Sequence, residues 1–323
     1  MTSRTNAEGG LHLIDLDQEL VGQRRFISCW ALLTPELAFV VDPGPPATGD
    51  RLIAALEELG CTRLDFILLT HIHLDHAGTT AAVLGRWPGA RVVSHRRARP
   101  HLEDPARLWE GSLAVLGEKA RVYGEPQPVP AAALAGYGEA EARGIRVIET
   151  PGHAAHHVCF LHGERLFLGE AAGTYATLDR GPDTPEPYLR PATPPVFRLE
   201  VARQSLDRLL ALDPAPRELL FAHHGRHTGD ARRLLGAARA QLGLWVETCR
   251  ALGAQAGSWA AGETLMDAIA GELARRDPHY ARGAALPADI RERERDFTRQ
   301  SLRGMLGYLE ELDRTSAEEA EPS

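Results

Sequence analysis

Three histidines and an aspartate occupy six consecutive positions within Thr70-His71-Ile72-His73-Leu74-Asp75-His76-Ala77-Gly78. Imidazole and carboxylate suit zinc, iron or manganese, and the lack of cysteine among them disfavours a closed structural zinc site. With 14 histidines in 323 residues, chance matches to this spacing are expected only on the order of 10⁻³ times. The apolar run at 64–69 feeds the motif as a strand would, and Ala77-Gly78-Thr79 opens a helix. Residues two apart in extended chain face the same way, so His71 and His73 can converge on one ion. Asp75 and His76, in the turn, can then swing to a neighbouring point. The competing reading is a solvated polar loop whose side chains cap the helix.

An ion held by two imidazoles of one loop needs a further protein ligand. His153 follows the tight Pro151-Gly152 turn, Glu170 follows an apolar run at 165–168, and His223 and His224 follow another at 218–222. All stand at the C-terminal ends of predicted strands, and that recurrence is the signal. His156 and His157 read as supporting residues beside His153. Tyr175 and Tyr188 could touch substrate or donate to a developing oxyanion, or else anchor their loop.

The elements that must position these residues form an α/β pattern. Short β-branched or apolar runs at 39–42, 64–70, 90–94, 145–149, 158–162, 165–168 and 218–222 alternate with helical stretches at 50–59 and 79–84. Gly60 and Gly85 follow as stop signals. Between 173 and 197 lie Pro182, Pro185, Pro187, Pro191, Pro194 and Pro195, so an irregular, functional loop is expected. Beyond residue 229, the stretches 231–251, 262–275 and 287–313 read as helices. Their apolar stripe, including Leu234, Leu235, Leu242, Leu244 and Trp245, requires cover from the chain's own core or from a second copy in a homodimer. The expected organisation is a catalytic core over 1–230, a helical region over 231–316 and a disordered tail over 317–323.

Composition is that of an ordinary folded chain, 44% hydrophobic and 25% charged. No apolar run approaches the roughly 18 residues of a membrane-spanning helix, and the first ten residues lack a signal-peptide apolar region, so a cytoplasmic location is expected. A net charge of -8 argues against nucleic acid and against an anionic membrane surface, leaving a small-molecule partner. Cys29, Cys61, Cys159 and Cys249 stand far apart and read as reduced, mostly buried thiols.

Asp42 in Val41-Asp42-Pro43-Gly44, the cluster from His71 to His76, His153, Glu170, and His223 or His224 together resemble the five motifs of the metallo-β-lactamase fold superfamily. The resemblance runs over roughly 39–225 and is nearest to the glyoxalase II-like branch. It implies an αββα sandwich, here with a C-terminal helical extension, and metals at one edge. It further implies that His71, His73 and His153 hold one divalent ion. Asp75, His76 and the last-motif histidine would hold a second, and Glu170 would bridge them. Zinc is the expected metal, with iron and manganese as alternatives, and Asp42 is implied to steady the histidine loop. Glu170 stands where the family carries Asp, and its extra methylene moves the carboxylate by roughly an ångström. The ligand two residues before the glycine favours His223 over His224.

The implied activity is a metal-dependent hydrolase. Metal-bound hydroxide, oriented by Asp75, attacks an ester-like bond, with a thioester or lactone ahead of a phosphodiester. The alternative is a mononuclear iron oxygenase of the persulfide dioxygenase type, using His71, His153 and Glu170. A third reading is a noncatalytic binding protein that keeps its metal for stability.

Overall fold

The computed structural model describes residues 4–7, 10–176 and 187–320. The chain forms two compact units: Met1–Thr150, His156–Gly169 and Asp213–Ala231 in the first, and Pro151–Ala155, Glu170–Leu212 and Arg232–Ser323 in the second.

The first unit opens with β1 (Arg4–Ala7), β2 (Leu11–Asp15), β3 (Ser28–Leu33) and β4 (Ala38–Val41), paired antiparallel in sequence order. Helix α1 (Gly49–Glu58) leads to β5 (Phe66–Leu68), and α2 (Leu74–Ala77) and α3 (Thr80–Arg86) lead to β6 (Arg91–Val93). Then α4 (Arg99–Glu103), α5 (Ala106–Leu116) and α6 (Glu118–Tyr123) precede β7 (Leu134–Ala135). From β4 to β7 the pairing is parallel, which completes a seven-stranded sheet. Crossover helices between parallel strands are what the sheet's geometry demands.

After α7 (Tyr137–Glu141) come β8 (Ile145–Glu149), β9 (Val158–His162) and β10 (Arg165–Gly169). The chain then builds β11 (Thr174–Ala176), β12 (Tyr188–Arg190) and α8 (Leu199–Leu210) in the second unit, and returns to the first as β13 (Glu218–Phe221) and β14 (Arg226–His227). The second sheet has the order β14-β13-β10-β9-β8. Because β8 and β10 are each antiparallel to β9, and β13 is parallel to β10, the strands β8, β10 and β13 all end on one edge.

The core of the first unit lies between the sheets. Trp30, Leu32, Phe39, Val41 and Leu68 of one sheet cluster with Val158, Phe160, Phe167 and Leu220 of the other. Phe39 meets Phe167 edge to face at 5.6 Å, and the indole of Trp30 donates to the Phe221 carbonyl at 2.9 Å. Each such large side chain contributes about 1.5–3 kcal/mol through burial. These facing sheets are the centre of the expected αββα sandwich.

The helical extension consists of α9 (Ala231–Ala256), α10 (Glu263–Arg276) and α11 (Ala288–Ala320). Leu234, Leu235, Leu242 and Trp245 are buried in the single chain, so no second copy is needed to cover them; Leu244 is half-buried. Among the described residues no helix is long and apolar enough to cross a membrane.

Three local expectations change. The proline-rich stretch is not irregular throughout, because β11 and β12 pair antiparallel at its start and middle. Neither strand contains proline, so each backbone N–H remains available for the ladder. Pro182 and Pro185 lie outside the described residues. Residues 317–320, expected to begin a tail, continue α11, consistent with the high helix propensity of Ala and Glu. Strands β1 to β3 and the helices α4 to α6 carry no assignment from the sequence alone, and β3 in particular is an apolar run with no polar alternation to mark it.

Candidate metal centre

The expected site residues of the first unit stand just beyond strand ends, except Asp75 and His76, which lie in α2. Asp42 follows β4, His71 and His73 follow β5, and His223 follows β13. Open α/β sheets place their sites at such carboxyl ends.

Asp42 anchors the histidine loop. Its Oδ1 accepts from the Thr70 backbone N–H at 2.8 Å and its Oδ2 accepts from the Thr70 hydroxyl at 2.6 Å. The same Oδ2 lies 3.1 Å from His76 Nδ1. An ionised carboxylate only accepts, so His76 carries its proton on Nδ1 and turns Nε2 towards Asp75 Oδ2, 3.7 Å away. Asp42 has φ 52°, a left-handed conformation that Asp and Asn tolerate best. Asp42→Asn therefore keeps the backbone but sets an amide donor against donors. We expect a loss of about 1–3 kcal/mol in chemical denaturation, with weakened metal uptake measured on the same protein.

The Thr70 hydroxyl, having donated to Asp42, can accept from His71 Nδ1 at 3.1 Å. That fixes the His71 tautomer and presents Nε2, which lies 3.0 Å from His73 Nδ1. His156 supports the same loop, with Nε2 accepting from the Ile72 N–H at 3.2 Å. His157 is fully buried, with Nδ1 2.9 Å from the Thr150 hydroxyl. Gly169 explains how β10 approaches this hinge: its φ is +53°, and a Cβ there would lie 2.5 Å from His157 Nε2 and 2.6 Å from Thr70 Oγ1.

Asp75, His76 and His223 form a compact donor set whose ligand atoms all lie within 4.8 Å of one another. His223 Nε2 is 3.6 Å from Asp75 Oδ2. Its ring stacks on Phe26 at 4.1 Å and 4°, and its backbone forms a bridge with Ile27. His224 is turned elsewhere: φ is 52°, Nδ1 lies 3.2 Å from Asp15 Oδ1, and Nε2 lies 3.4 Å from Arg25 Nη2. His223, and not its neighbour, joins Asp75 and His76. Two buried imidazoles and one half-buried carboxylate match the chemistry of a divalent cation. Asp42, His71 and His76 also lie close together, but both Asp42 oxygens are committed to Thr70, so Asp42 acts as an anchor.

The second unit contributes the other pair. His153 Nε2 lies 2.8 Å from Glu170 Oε2, and both side chains are nearly buried. His153 Nδ1 donates to the Ala192 carbonyl at 3.0 Å, so the proton sits there and Nε2 faces the carboxylate. Both tyrosines are buried. The Tyr188 hydroxyl donates to Glu294 at 3.0 Å, so it serves packing in place of the substrate contact expected of it, and Tyr175 is enclosed in β11.

Sequence reasoning missed Phe26 and the Asp15–Arg25–His224 group. Phe26, Asp15 and Arg25 lie in a stretch read without strand signal, and nothing local pairs Asp15 and Arg25 with the distant His224. All four cysteines are buried and free. Burial pushes the Cys159 thiol up to about 12, so it rests as a neutral thiol.

The profile of the metallo-beta-lactamase superfamily matches residues 22–244. A "metallo-beta-lactamase fold-containing protein" of Sulfurisphaera tokodaii is 33% identical over 172 residues, which cover 50% of this chain and 61% of that protein. A "hydroxyacylglutathione hydrolase" of Stenotrophomonas maltophilia is 33% identical over 144 residues, 44% of each chain. The chain thus spans about half the length of these curated relatives. Among solved structures, a metallo-beta-lactamase family protein of Thermus thermophilus superposes with a TM-score of 0.55 at 25% identity, covering 94% of both chains.

Proposed function

The chain belongs to the metallo-beta-lactamase superfamily, and from that premise we propose that this metal-dependent hydrolase cleaves acyl thioesters of small molecules in the cytoplasm. The observation that carries this reading is the donor set of half-buried Asp75 with buried His76 and His223. The similarity to hydroxyacylglutathione hydrolases supports a thioester ahead of a lactone or a phosphodiester.

In this reading His71, His73 and His153 would hold one divalent ion, Asp75, His76 and His223 a second, and Glu170 would be shared. Zinc suits so nitrogen-rich a set. Bound there, the ions would lower the pKa of a shared water and polarise the carbonyl it attacks. The chain's own part is orientation. Asp42 and Thr70 fix the tautomers of His76 and His71, and Asp75 accepts a hydrogen bond from the attacking water and aims it. A thioester fits this arrangement because a thiol of pKa about 8.5 departs as thiolate near neutral pH without a strong general acid. The ring protons assigned to His71, His76 and His153 are already given to Thr70, Asp42 and Ala192.

The test uses the purified full chain. Elemental analysis should give two divalent ions per chain. An acyl-glutathione thioester should be hydrolysed faster than a lactone or a phosphodiester, with activity abolished by a chelator and restored by zinc. No thioester hydrolysis at full metal content would overturn the reading. Oxygen uptake by iron-loaded protein would replace it with the oxygenase built on His71, His153 and Glu170, which leaves Asp75, His76 and His223 without a task.

A further inference from the structure

A buried ion pair in the second unit begins two residues before Ala192, whose backbone carbonyl holds His153. Arg190, at the end of β12, donates through Nε to Glu294 Oε2 of α11 at 2.9 Å. Its Nη1 donates to the Pro191 carbonyl at 2.9 Å, and its Nη2 to the Thr174 hydroxyl at 3.0 Å. Ser301, two turns along α11 from Glu294, donates to the same Pro191 carbonyl at 2.9 Å. Thr193 donates in return to the Ser301 carbonyl at 2.8 Å. The residues on both sides of Ala192 are thus fastened to α11, and Ala192 is the one whose carbonyl accepts from His153 Nδ1. Contact between loop and helix is at backbone level: a Cβ on Gly304 would lie 2.2 Å from the Pro194 carbonyl oxygen.

Burying such charges is costly. Arg190 is 2% exposed and Glu294 is 4% exposed, and apolar packing of the same volume generally stabilises as well or better. What hydrogen-bonded charges add over apolar packing is direction. A carbonyl held in one place fixes which ring nitrogen of a histidine carries the proton, and therefore which one can donate an electron pair to a metal.

We infer that Arg190, Glu294 and Ser301 are positioning residues for His153: by clamping 191–193 to α11 they hold the Ala192 carbonyl on Nδ1 and so reserve Nε2 for a metal ion. The inference rests on the proposed role of His153 as a ligand. It makes the C-terminal helix part of the metal centre's construction, beyond any role in packing.

The probe is Co²⁺ alone, added to chelator-stripped full-length protein, with its visible absorption, its affinity and the melting temperature recorded. Ser301→Ala removes one hydroxyl and Ser301→Thr restores it. In Ser301→Ala we expect cobalt affinity at one of two sites to fall about 10- to 100-fold with a changed cobalt spectrum, and in Ser301→Thr a return to wild-type values. Gly304→Ala, which pushes on the loop from the helix side, should reproduce the Ser301→Ala signature. Folded Ser301→Ala and Gly304→Ala proteins with wild-type cobalt affinity and spectrum would overturn the inference while leaving the hydrolase reading intact. Wild-type protein that takes up no cobalt would instead overturn the hydrolase reading, and this inference with it.

Discussion

His73→Ala is expected to lower thioester hydrolysis by about three orders of magnitude while the protein still unfolds cooperatively near the wild-type temperature. The size follows from what is removed. Metal assistance supplies several kcal/mol of transition-state stabilisation, and each 1.36 kcal/mol is worth about tenfold in rate. The spared stability follows from position. His73 is only partly buried and stands at the start of the four-residue α2. The loop's internal fastenings run through Asp42, Thr70 and His156, which the substitution leaves in place. Turnover and metal content measured together decide the matter: full turnover in the variant removes His73 from the centre. A collapse of the melting temperature would make its role structural.

The reason His73 could be picked from the sequence while Phe26 could not is physical. Residues 70–76 carry their message locally, since extended chain repeats every two residues and the turn into α2 follows at once. The strand ends before Asp42, His153, Glu170 and His223 were legible for the same reason, as apolar runs bounded by turn residues. What remained hidden depends on contacts between distant segments. Phe26 stacks on His223 across most of the first unit's sequence. Arg25 meets His224 at a separation of 199 residues, and Arg190 meets Glu294 at 104. No periodicity encodes such partners, because each is chosen by how the sheets and helices pack. The choice between His223 and His224 shows the boundary well. Adjacent residues share every periodic signal; the resembled motif's spacing to Gly225 favours His223, and in the fold φ 52° at His224 and its engagement with Asp15 set the two apart.

Glu294→Gln should cost about 3–5 kcal/mol of stability at neutral pH, the usual penalty for breaking one side of a buried ion pair. The carboxylate accepts from Arg190 Nε, from Arg293 Nε at 3.0 Å and from the Tyr188 hydroxyl. Its replacement leaves two guanidinium groups enclosed without a counter-charge. The pH dependence gives the claim its sharper form. Burial alone would raise the Glu294 carboxyl, but Arg190 and Arg293 outweigh it and hold the group down at about 2, against an ordinary value of 4.5. A folded-state pKa below the unfolded one means that the unfolded chain binds the proton first. The contribution is therefore complete above pH about 4.5 and is lost as pH falls towards about 2. Wild-type stability, followed by urea unfolding from pH 7 downwards, should decline through that window more steeply than that of Glu294→Gln, so the two curves converge in acid. Parallel curves would show that Glu294 is not the titrating partner. Because the same carboxylate also directs Arg190 onto the Pro191 carbonyl, the variant should lose cobalt affinity at pH 7 even in conditions where it remains fully folded. Stability and orientation, drawn from one buried charge, are then separable by measurement.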